Sequence, residues 1–96
     1  MSKKATVASE VKKFSDIPNI GEAIAKDFVL LGIKKPSDLK KCDGYKLYVT
    51  LCKATGKRHD PCVLDTFLAA VDFMQGAPAK PWWAYTAERK QTYPNI

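Results

Sequence analysis

Apolar residues recur along this chain at intervals of three and four, the period of an α-helix, and no stretch alternates in the manner of a strand. Ile20, Ile24, Phe28 and Leu31 set the pattern between two glycines, with Glu22, Lys26 and Asp27 on the opposite, water-facing side. Gly32 follows the last periodic residue, where a left-handed cap is needed and glycine takes it without steric cost. A shorter helix is expected before this one, with Ser9 as its cap, Glu10 at its positive end, Val11 and Phe14 on one face, and Pro18 as its limit. After Gly32, Ile33 folds back, and Pro36, Ser37 and Asp38 open a third short helix containing Leu39. Asp43 caps a fourth, with Tyr45, Tyr48, Leu51 and Cys52 in register and Leu47 flanking, and Gly56 ends it. Asp60 followed by Pro61 places a cap and a favoured first residue at the head of a fifth helix. Its face of Leu64, Phe67, Leu68, Val71 and Met74 is the strongest amphipathic signal in the sequence, and Gly76 closes it.

The pattern therefore predicts an all-α domain of five short helices. Beyond Gly76 the prolines at 78 and 81 preclude a regular helix, but Trp82, Trp83 and Tyr85 are large enough that the tail is expected to pack back over the core. Thr86, Glu88 and Arg89 open one last helical turn. Residues 1–8 read as a flexible basic arm, 9–90 as the domain and 91–96 as a loose end. A chain of 96 residues supports a single modest core. No apolar run reaches the roughly 20 residues of a membrane span, and no secretory signal is visible, so a cytoplasmic protein without membrane association is expected. Three cysteines, an odd number, make reduced thiols the default.

Charge changes the picture by pointing to a class of partner. Sixteen Lys and Arg against ten Asp and Glu give +6, which favours anionic partners such as nucleic acid. The residues best placed to exploit it lie at IPNIGEAIAKDFVLLGI, 17 to 33, where the turn Asn19, Ile20, Gly21 is followed by Ala25, Phe28 and Gly32 at offsets of four, seven and eleven from Gly21. This stretch resembles the helix-hairpin-helix motif, in which a hydrophobe and proline precede a glycine-hydrophobe-glycine turn. Asn19 stands where the motif usually has glycine, and asparagine tolerates the left-handed conformation best among the other residues.

Together with LYVTLCKATGKRHDPCVLDTFLAAV at 47 to 71 and PWWAYTAERK at 81 to 90, the hairpin makes the chain resemble the small bacterial "pathogenicity locus" family of helix-hairpin-helix proteins. Its motif is also similar to the C-terminal domain of TfoX-type competence regulators. The resemblance implies a single SAM-like helix-hairpin-helix fold. The hairpin motif and the net charge together point to double-stranded DNA as the partner, gripped without base specificity because the hairpin carries little that could read base edges.

The residues expected at that contact are Asn19, Ile20, Gly21 and Glu22, whose backbone amides begin a helix, with Lys26 nearby. Lys57 and Arg58 form a second basic turn at the head of the fifth helix, suited to the opposite strand. The alternative is an adaptor that docks another protein through the hairpin or the aromatic tail. No enzyme is expected, since paired carboxylates, a nucleophile motif and a phosphate loop are all missing from the sequence. Cys52, His59 and Cys62, with Cys42 as a fourth ligand, are the candidates for a metal or redox site. None of the pairs has structural-zinc spacing, so packing is the expected role, with no metal and no cofactor.

Overall fold

The fifth helix of the sequence pattern is the centre of the molecule. In the computed structural model, which describes residues 4–96, the elements in chain order are four α-helices, α1 (Glu22–Leu30), α2 (Gly44–Thr55), α3 (Pro61–Met74) and α4 (Thr86–Thr92), with 3-10 turns between and around them. No strand occurs among the described residues, in keeping with the all-α reading. α3 is buried on nearly every side, by α2, by the 3-10 turn Pro36–Lys41, and by the tail. Leu64, Phe67 and Ala70 have no exposed surface. Each large apolar side chain buried in this way contributes about 1.5–3 kcal/mol.

α2 lies so close to α3 that a Cβ on Gly44 would sit 2.9 Å from Leu68 Cδ2 and 3.1 Å from the Leu68 backbone. Glycine is what permits that approach. α1 is anchored through Phe28, whose ring lies 5.3 Å from Phe14 and 5.2 Å from Phe67. It ends as expected, with Gly32 left-handed at φ 85° and Ile33 N–H donating back to Phe28 O.

Two of the five expected helices are 3-10 rather than α. The first resolves into the single turns Ala8–Glu10 and Phe14–Asp16, and the third is Pro36–Lys41. Ser9 does not cap the first. Instead the Glu10 carboxylate accepts from Thr6 N–H and Val7 N–H, and Asp16 from Lys12 N–H and Lys13 N–H. Each acid closes one turn, and the chain then returns to extended backbone at Val11 and Ile17. These donated amides hold the Asp16 carboxyl below its ordinary pKa, helped by the Lys13 and Lys4 charges.

The expected basic arm falls partly on residues 1–3, which lie outside the described residues. Within 4–8, Ala5 N–H donates to Asp16 O at 2.8 Å, and the Lys4 ammonium donates to Ser15 O and Ile20 O. At the other end, Tyr93 stacks on Tyr45 with ring centroids 4.3 Å apart, and Asn95 O accepts from Arg58.

The tail does pack over the core, and its main fastening is polar. Arg89 Nε donates to Asp65 Oδ1 at 2.8 Å, Arg89 Nη2 to Asp65 Oδ2 at 3.3 Å and Thr86 Oγ1 to Asp65 Oδ2 at 2.7 Å. Asp65 is completely buried and Arg89 nearly so. Tyr85 adds a hydrogen bond from its hydroxyl to Asp72 Oδ2 at 2.8 Å, and burial together with that acceptor pushes the phenol far above its ordinary pKa.

Candidate nucleic-acid interface

The turn that leads into α1 follows from three consecutive residues. Pro18 fixes its own φ, Asn19 adopts φ 74°, and Ile20 N–H donates to Ile17 O at 3.1 Å. Proline and then a left-handed asparagine between the bonded residues is the pattern of a type II turn. Ile17 and Ile20 are both fully buried, so the turn is clamped from inside. Asn19 is also clamped from outside, because its side-chain Nδ2 donates to Lys80 O at 2.8 Å across 61 residues of chain.

What this geometry presents to solvent is the start of α1. Gly21 is the cap residue, has extended backbone and offers no side-chain acceptor; the first amide to be bonded is Ala25 N–H, to Gly21 O at 3.0 Å. The N–H groups of Gly21, Glu22, Ala23 and Ile24 are therefore without partners among the described residues. Gly21, Glu22 and Ala23 are exposed, and a Cβ at Gly21 would meet nothing within 4 Å. Unpaired amides at a helix start, reinforced by the helix dipole, attract an anion. The tail reaches Asn19 and leaves Gly21, Glu22 and Ala23 exposed.

Charge at the turn comes from a residue the sequence did not single out. Lys4 holds Ser15 O and Ile20 O with its ammonium, which places a cation against the turn itself. Nothing local in the sequence links Lys4 to Ile20. Lys26 is exposed one helical turn beyond Glu22, and no ion pair between the two forms among the described residues. Glu22 brings a carboxylate to the same end of α1, where the helix dipole stabilises it.

The second basic turn is only half available. Lys57 is exposed, but Arg58 Nη2 donates to Asn95 O at 3.0 Å. The turn enters α3, whose Cys62 N–H is already taken by Asp60 Oδ1 at 2.8 Å. No hydrogen bond or ion pair joins it to the Asn19 turn among the described residues.

Of the cysteine and histidine candidates, Cys52 and His59 come together and Cys62 stays apart from them. His59 N–H donates to Cys52 Sγ at 3.5 Å, its ring Nε2 lies 2.8 Å from Thr55 Oγ1, and its carbonyl accepts from the buried Tyr48 hydroxyl. Cys62 stands at the head of α3, a place where a thiol pKa can be lowered. The shift is upward, because the Asp60 cap carboxylate bonds to the thiol, with burial and the Asp60 charge adding to it. No group of three metal-binding side chains gathers among the described residues. No helix there is long and apolar enough to cross a membrane.

Comparison with known proteins bears on family and leaves the ligand open. No solved structure matches the chain. The mitomycin resistance protein McrB of Streptomyces lavendulae is 40% identical over 84 residues, a span covering 88% of this chain and 80% of that protein. The family profile described as "Pathogenicity locus" matches residues 7–91, nearly the whole sequence. The chain belongs to the Pathogenicity locus family.

Proposed function

We propose that this protein binds duplex DNA without sequence preference, seating a backbone phosphate on the α1 start in the manner of a helix-hairpin-helix. The observation that carries this reading is the uncapped run of amides from Gly21 to Ile24, exposed at Gly21, Glu22 and Ala23, behind a turn bonded on both sides. Lys4 and Lys26 add charge on either side, and the formal charge of +6 supplies attraction at longer range. The start of α1 offers mainly backbone amides and lysine charge, with one carboxylate at Glu22, so phosphate contact is expected in place of base readout.

Titration of a labelled blunt duplex at several salt concentrations tests it. Two to three phosphate contacts should give a slope of about −2 to −3 for log K against log salt. A flat dependence, or no binding at low salt, overturns the reading. The alternative, a protein adaptor, draws on Val29 and Leu30, which are exposed at the far end of α1. It would show as a defined partner lost when both are replaced by lysine, with duplex affinity unchanged.

A further inference from the structure

The tail segment tied to the hairpin carries a side chain that the fold does not use. Trp83 is 63% exposed, although tryptophan usually buries most of its surface. It is nevertheless held in place. It lies in the 3-10 turn Trp82–Tyr85 that follows Pro81, and Trp82 braces it edge-on with centroids 5.6 Å apart at 86°. On either side the segment is fixed by Asn19 at Lys80 O, by Tyr85 on Asp72, and by Thr86 and Arg89 on Asp65. None of these hydrogen bonds involves the Trp83 ring, most of whose surface is open to solvent.

One cation, Lys80, belongs to the same segment, which also touches the turn, while Asp72 and Glu88 lie on the Tyr85 side. Lys80 lies three residues before Trp83, a chain distance of at most roughly 10 Å, and its backbone is already in contact with Asn19. The Lys80 ammonium sits 5.9 Å from the Tyr85 ring centroid. An aromatic face beside a lysine is how proteins seat an unstacked base next to its phosphate. A single exposed ring fits one base and is too small for a protein interface.

We infer that Trp83 and Lys80 form a seat for one unpaired nucleotide beside the hairpin, so that the DNA this chain prefers carries a single-stranded end or gap adjoining a duplex. The inference rests on the hairpin reading above and deepens it. The blunt portion lies on the α1 amides, and the first unpaired base stacks on Trp83.

The test compares a labelled blunt duplex with the same duplex carrying a three-nucleotide overhang, by anisotropy, for the native protein and Trp83→Ala. Overhang DNA should bind the native protein about tenfold tighter, the lower end of what one stacked base supplies. Trp83→Ala should remove that preference and leave blunt-duplex affinity within about twofold. The chain has two tryptophans, so Trp82→Phe leaves Trp83 as the sole reporter, and its emission should be quenched by the overhang and not by blunt DNA. Equal affinity of the native protein for both DNAs, or a preference that survives Trp83→Ala, overturns the inference while leaving the hairpin reading intact. Failure to bind either DNA removes both.

Discussion

Three helices of this protein begin in two different ways. α2 and α3 start on aspartates whose carboxylates take their first amides: Asp43 accepts from Tyr45 N–H at 2.9 Å and Lys46 N–H at 3.3 Å, and Asp60 from Cys62 N–H at 2.8 Å. α1 starts on Gly21 and its first amides are left to solvent. Space does not explain the difference, because a side chain at Gly21 would meet nothing, and neither does backbone strain, because φ −101° suits any residue. Exposure does not explain it either, since Asp43 and Asp60 are themselves exposed, at the heads of the helices that pack most closely. The open start lies at the surface, on a turn fixed from both sides, which is the arrangement a ligand of opposite charge requires.

The comparison is broken most severely through the tail, which secures the turn from outside at Asn19 and is itself fastened to α3. Asp65→Ala leaves the Arg89 guanidinium buried without its partner, and a loss of about 3–5 kcal/mol is expected. Denaturant unfolding measures it. A loss below about 1 kcal/mol would mean that the tail is held mainly by its apolar contacts.

Closing the open start comes next in size. Gly21→Asp installs the kind of cap that α2 and α3 carry, in a place with room for it. Capping should raise stability by a few tenths of a kcal/mol. The new carboxylate should at the same time lower duplex affinity tenfold or more, at least about 1.4 kcal/mol, by occupying the amides and repelling phosphate. A variant that is more stable and binds DNA as before would show that these amides are not the contact.

Much of this architecture is legible in the sequence, for a local reason. Asp43, Asp60 with Pro61, and Gly32 act on their immediate neighbours, so cap and stop signals place α1, α2 and α3 to within about a residue. The turn before α1 is legible in the same way, since left-handed Asn19 and the α1 start adjoin in sequence. What escaped is pairwise and distant. Asp65 and Arg89 are 24 residues apart, and each alone reads as a solvent-facing charge; Asn19 and Lys80, or Lys4 and Ile20, give no mutual signal at all. Ser9 looks like a cap, but Glu10 and Asp16 win the neighbouring amides and divide that region into single turns. Trp83 resembles a core residue by composition and is left outside, because α3 is already covered by α2, Pro36–Lys41 and the rest of the tail.

The smallest effect tests the capped side of the comparison. Asp60→Ala should destabilise the protein by about 1 kcal/mol, the usual cost of losing an aspartate cap. Its more specific consequence concerns Cys62. The Asp60 carboxylate holds that thiol above its ordinary pKa, both by bonding to it and by its charge. Removing it leaves the sulfur under the positive end of α3, so the pKa should fall and the thiolate should form at lower pH. The profile of Cys62 alkylation rate against pH, followed by peptide mass analysis so that Cys42 and Cys52 are counted separately, should shift downward in the variant. An unmoved midpoint would mean that burial, the second cause of the upward shift, outweighs the carboxylate. A helix start freed of its acid would then differ from the Gly21 start in exposure, with charge playing the lesser part.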